Sequence, residues 1–175
     1  MKKLFIFLFF LVVSLSAAAQ KKNAVNSFLY GQANLMAYDW LSGFTGGGVG
    51  LGLQLSVHSK NKLKPLLDVS ANLFSINKIS FIFENGQTGG PKQTVATGFV
   101  GFFYEPVKRF EIAICAGPAF HDDGTDFGIK PYAAYYLGKK KIIKAHVSLT
   151  HIFVRNNLYN SNTGIASAGL AIKLF

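Results

Sequence analysis

From Val49 to Val57 the chain reads V-G-L-G-L-Q-L-S-V, apolar at every odd position and small or polar at every even one. A period of two places successive side chains on opposite faces of an extended chain, so this segment predicts a β-strand with two unlike faces. The same beat recurs to the C-terminus, broken by clusters of Gly, Asn, Pro and charge that mark turns. It predicts eight strands: Phe28 to Tyr38, Val49 to Val57, Leu66 to Phe74, Thr94 to Tyr104, Phe110 to Ala116, Phe127 to Leu137, Ile142 to Val154 and Ala166 to Phe175. A short apolar piece, Ile79 to Phe83, extends the third strand's arm.

The two faces differ in kind. One face of strands two, three, five, seven and eight carries Leu, Ile, Val and Ala almost alone. The other side of the sheet carries Gln54, Ser56, His58, Asp68, Ser70, Asn72, Glu111, Lys130, Tyr132, Lys144, His146, Ser148 and Thr150. In the fourth strand both faces are apolar and the parity is open. A soluble barrel would turn the apolar face inward; a membrane barrel reverses the order and packs a small polar interior.

Placing the N-terminus on the periplasmic side makes the inner turns His58 to Lys64, Glu105 to Arg109 and Gly138 to Lys141, which are short and basic. The outer connections become Asp39 to Gly48, Ser75 to Gln93, Ala119 to Asp126 and Arg155 to Gly164, longer and rich in Gly, Asn, Thr and Asp. Short inner turns, long outer loops and an even strand number are the pattern of bacterial outer-membrane barrels. Tyr38, Trp40, Phe44, Phe103, Tyr104, Phe110 and Tyr135 fall near predicted strand ends, as interfacial girdles do, although strands attract aromatics in any case. The expected fold is therefore all-β, an eight-stranded antiparallel up-and-down transmembrane β-barrel.

The N-terminus agrees with export. Lys2 and Lys3 precede an apolar run from Leu4 to Val13, and Ala17-Ala18-Ala19 supplies a small-residue cleavage pattern. Residues 1–19 are read as a signal peptide and 20–175 as one barrel domain. Beyond the signal there is no run of about 18 apolar residues, so any membrane crossing must be made by strands closed into a barrel. The single cysteine, Cys115, excludes an intrachain disulfide framework.

Without Lys2 and Lys3, 16 of the 18 basic residues face 8 acidic ones, a formal charge of +8. The sign points to an anionic neighbour. The basic residues form no stripe interleaved with aromatics, and export argues against nucleic acid. Outer-membrane lipid and lipopolysaccharide phosphate are the expected partners, with the barrel assembly machinery engaged during insertion; a partner of the outer loops is not legible.

The tail from His151 to Phe175 reads H-I-F-V-R-N-N-L-Y-N-S-N-T-G-I-A-S-A-G-L-A-I-K-L-F. It resembles the end of the outer-membrane lipid A deacylase family, in which His-x-Ser-Asn is followed by Asn-x-Gly-Ile, the Glu that orients the histidine, and the last strand. His151 stands at the histidine position and Asn162-Thr163-Gly164-Ile165 reproduces the loop pattern. Phe153, however, occupies the nucleophilic serine position, Val154 the asparagine and Ala166 the glutamate. Ester cleavage by this route needs a hydroxyl, a base that activates it and an acid that orients the base, so two of three parts are missing. The resemblance implies a retained scaffold without the catalytic set.

His146-Val147-Ser148 offers a second His-x-Ser, but parity puts His146 and Ser148 on the polar face with Lys144 and Thr150, whereas His151 shares the apolar face with Val147 and Leu149. Both histidines also have plain readings, as barrel packing or as an interfacial side chain. His121 to Asp126 gathers Asp122, Asp123 and Asp126 as conceivable oxygen ligands, without the calcium-loop spacing that ends in a bidentate glutamate, and is read as a solvated outer loop. Gly46 to Gly52 is glycine-rich without the order G-x-G-x-x-G and without a following helix, so close packing in a narrow barrel accounts for it better than phosphate binding. No cofactor is expected.

The resulting expectation is an outer-membrane barrel of a Gram-negative bacterium with a structural or surface-interaction role. The alternatives are a lipid A deacylase-like esterase with His151 as base, and a secreted soluble barrel that holds a small apolar ligand at its centre.

Overall fold

The computed structural model describes residues 25–39, 45–57, 62–77, 92–121, 124–155 and 160–174. The predicted signal peptide, His58, Trp40, Phe44, the Ile79 to Phe83 piece, Asp122, Asp123 and Phe175 lie outside the described residues. Eight strands form: β1 Val25–Asp39, β2 Thr45–Val57, β3 Leu63–Asn77, β4 Lys92–Val107, β5 Phe110–His121, β6 Gly124–Leu137, β7 Ile143–Arg155 and β8 Asn160–Lys173. Every neighbour in the chain pairs antiparallel with the next, and β1 pairs with β8, so the sheet closes without an edge. Phe28 lies opposite Lys173 and Leu35 opposite Ala166 across the closure. Each predicted strand is present, and most run further than the alternation suggested.

That extra length changes the connections. About 9–11 tilted residues cross a bilayer, whereas these strands hold 12 to 16. Apart from 78–91, connecting segments are therefore short: 58–62, 108–109 and 138–142 at the mouth holding the N-terminal end of β1, and 40–44, 122–123 and 156–159 at the other. Of the four outer loops expected to be long, only 78–91 is. Ala119 to Asp126 is mostly β-hairpin, with His121 paired to Gly124. The polar residues there sit on strands projecting beyond the apolar band, which composition alone reads as loop.

The parity holds around the barrel. Leu51, Val49 and Val100 on the outer wall are about two-thirds exposed (67%, 65% and 64%), while Asp68, Glu111, Lys130 and Lys144 inside are at most 2% exposed. In β4, left open by the sequence, Val95, Thr97, Phe99 and Phe103 face the lumen and Val100 and Phe102 the exterior. Phe103, grouped above with the girdle, is thus a lumen residue. Glycines on the lumen face make room for large neighbours: a Cβ at Gly52 would collide with the Tyr30 ring, and one at Gly128 would lie 2.8 Å from Phe99 Cζ. Small residues opposite large ones are how a narrow eight-stranded interior is filled.

Candidate functional site

The lumen is built in layers, and the inward column of β3 touches each of them: Leu66, Asp68, Ser70, Asn72 and Phe74. At the mouth away from the N-terminus, Phe74 packs with Met36, Val95, Ala119, Ile152 and Ile165 in an apolar plug. Beneath it lies a neutral amide and hydroxyl layer. Asn72 Oδ1 accepts from Gln32 Nε2 at 2.8 Å and from Asn34 Nδ2 at 2.9 Å, and Ser70 and Thr97 hydroxyls meet at 2.8 Å.

The next layer centres on Asp68. Its Oδ1 accepts from Lys130 Nζ at 2.8 Å and from the Tyr30 hydroxyl at 3.0 Å, and Oδ2 accepts from Gln54 Nε2 at 2.8 Å. Lys130 also donates to the Tyr30 oxygen at 3.2 Å. Nearest the N-terminal mouth, Glu111 receives Lys144 Nζ at 3.0 Å, the Tyr136 hydroxyl at 2.6 Å and the Tyr132 hydroxyl. Lys144 is enclosed by rings, 4.4 Å above the centroid of Phe28. Two buried carboxylates thus meet two buried ammonium groups, and the charges of the two pairs balance. A buried ion that lacked such partners would cost several kcal/mol, at about 3–5 for one broken pair.

His146 and Ser148 belong to this interior. The His146 ring stands edge-on to Tyr30 at 5.0 Å, and its Nε2 lies 3.3 Å from Gln32 Oε1. Both residues are buried behind the wall. Ser148 Oγ is fully enclosed and has no hydrogen-bond partner among the described residues. A lipid ester outside the barrel does not reach either group.

His151 occupies the other face. It lies opposite Ile129 of β6 and Gly164 of β8, and its ring meets Phe153 edge-on at 4.4 Å; Phe153 in turn stacks on Phe127 at 6.3 Å. Ala166 is on the same exterior face, paired with Leu149. The three positions that the deacylase resemblance aligns, 151, 153 and 166, therefore share one wall patch near one rim. In the strand pairing His151 adjoins Ile129 and Gly164, with Leu149 and Phe153 on the same face of its own strand.

Of the conceivable metal ligands, Asp126 is described and is engaged: its Oδ2 lies 2.6 Å from His121 Nε2 across the β5–β6 hairpin. Among the described residues no group of three His, Cys, Asp or Glu side chains converges. Sequence reasoning missed Tyr30, Gln32 and Asn34 as members of the interior. Their signal was the alternation of β1, Phe28-x-Tyr30-x-Gln32-x-Asn34-x-Met36, which places amides and aromatics on one face.

Neither a protein-family model nor the sequence of a curated protein matches this chain. Solved structures do. The attachment invasion locus protein Ail of Yersinia pestis superposes with a TM-score of 0.58 at 9% identity, over 87% of this chain and 99% of that one. Ail in complex with the heparin analogue sucrose octasulfate gives 0.56 at 11% identity, with the same shares covered. A de novo designed transmembrane β-barrel gives 0.52 at 13% identity over 85% of this chain and 95% of that one. The fold is that of an eight-stranded transmembrane β-barrel.

Proposed function

We propose that this chain is an exported outer-membrane barrel of a Gram-negative bacterium, inserted by the barrel assembly machinery, with a structural or surface-interaction role and no catalytic one. The observation that carries this reading is the inversion of the faces: leucines, valines and isoleucines around the exterior, charge pairs and amides inside. Water would leave that exterior as a continuous exposed apolar surface, far larger than soluble monomers tolerate. Hydrocarbon covers it at no cost. The signal-like N-terminus supports delivery to such a membrane, and lipid with lipopolysaccharide is the partner the wall meets.

Surface interaction is supported by the fold likeness to Ail, a protein solved in complex with the heparin analogue sucrose octasulfate.

Heat-modifiable migration tests the barrel, and fractionation tests the compartment. The unboiled protein in detergent should run as a compact band that boiling shifts, and it should be recovered with outer membranes. Recovery in the soluble periplasm without detergent would favour the soluble ligand-binding barrel and end the membrane reading.

The shared wall patch of positions 151, 153 and 166 favours one second reading, an esterase acting on lipid A. Purified barrel incubated with lipopolysaccharide should leave the acyl count unchanged by mass spectrometry. Loss of one chain, abolished by His151→Ala, would replace the structural reading with the enzymatic one.

A further inference from the structure

The charge of this barrel lies at one end. At the mouth where β1 begins and β8 finishes, the described residues include Lys62 and Lys64, Lys108 and Arg109, Lys139, Lys140 and Lys141, and Lys173. They come from every connection on that side and from the C-terminal strand. One carboxylate answers them: Glu105, which lies 2.7 Å from Lys141 Nζ and 3.7 Å from Lys64 Nζ. The other six cations have no ion-pair partner among the described residues.

Two details separate this mouth from an ordinary solvated rim. Arg109 and Lys141 hold left-handed backbone, at φ 74° and 52°, where glycine would sit without strain and most other side chains would not. In addition the cations adjoin the apolar wall directly. Leu63, Val107, Leu137, Ile142, Ile143 and Ile172 are exposed within one or two residues of them along the chain, so the positive ring falls where hydrocarbon gives way to headgroups. A shallow apolar groove of about 520 Å³ opens on the wall near this mouth, between Leu55, Val57, Pro65, Leu67, Val100 and Phe102.

We propose that the basic mouth is a contact surface for anionic phospholipid headgroups, with their phosphates on the cation ring and an acyl chain in the groove between β2 and β4. The inference rests on the membrane-barrel reading. A soluble polyanion would match the charge but leave the groove and the adjoining wall bare, whereas a phospholipid satisfies both together. Near a membrane surface each Lys or Arg contributes up to about fivefold in affinity for anionic lipid.

The test is native mass spectrometry of the barrel released from detergent after equilibration with equal phosphatidylglycerol and phosphatidylethanolamine. Retained lipid should be enriched in phosphatidylglycerol by about tenfold or more. The variant Lys62→Gln/Lys108→Gln/Lys139→Gln/Lys140→Gln should lose that enrichment, and Lys→Arg at the same four positions should keep it. Band migration on the same samples reads folding separately. A folded barrel that retains both lipids equally, an unchanged Gln variant, or a preference for lipid A or an oligonucleotide over phosphatidylglycerol overturns the proposal while leaving the barrel standing. Absence of the band shift overturns the barrel and this inference with it.

Discussion

Asp68 gathers three donors in the interior, since one carboxylate accepts from Lys130, Tyr30 and Gln54. Removing it leaves the buried Lys130 ammonium without its carboxylate partner. Asp68→Ala is therefore expected to destabilise the folded barrel by about 3–5 kcal/mol in denaturant unfolding from micelles. Replacing both partners, Asp68→Leu with Lys130→Met, should recover most of that loss, because two well-packed apolar side chains need no partner. A single variant as stable as the parent would mean that water already solvates the pair. At this scale parity grouped Gln54, Asp68, Asn72, Glu111, Lys130, Lys144 and His146 on one polar face, the membrane reading turned that face inward, and all are buried there. For Tyr30, Gln32 and Asn34 the alternation was there but harder to read. The inward face of β1 begins with Phe28 and ends with Met36, since the lumen itself has apolar layers, and mixed character hides a period of two.

Along a strand the same alternation makes a sharper claim about surroundings. Leu51 is the middle residue of β2 and Leu137 the last of β6; both point outward and are exposed. In water an arginine at either place would be harmless. In hydrocarbon the cost depends on depth, about 2–4 kcal/mol at the midplane and falling to about 0–1 near the interface. Leu51→Arg should thus lower stability in lipid vesicles strongly and Leu137→Arg barely, with the difference shrinking when unfolding is followed in a looser micelle. Equal effects at the two positions would count against a membrane around this wall. Strand identity was legible for all eight elements because burial on one face enforces register. Strand ends were not. His121 and the Gly124 to Asp126 stretch are polar and glycine-bearing, yet their backbone pairs across the β5–β6 hairpin, and nothing in side-chain composition records that the ladder continues so far.

For the whole molecule, the alternation of strands already put the basic turns holding Lys62, Lys108 and Lys140 on one side, and closure of β8 onto β1 adds Lys173 to the same mouth. The same closure decides whether the barrel is a path. An eight-stranded interior is just wide enough for side chains to fill, and here the filling has two unlike barriers in series. Met36, Phe74, Val95, Ile152 and Ile165 make an apolar layer that excludes water, as hydrophobic constrictions do in gated pores. Below it, Asp68 with Lys130 and Glu111 with Lys144 leave no unbalanced charge to attract an ion. The protein reconstituted in a planar bilayer should therefore show no conductance steps, and Met36→Ala with Phe74→Ala should open none, since the amide layer around Asn72 and the Asp68 cluster still block the lumen. Steady current through the parent barrel would mean that these layers part in the membrane. Current only in the double variant would instead make the apolar plug the sole barrier and assign the charged layers to stability alone.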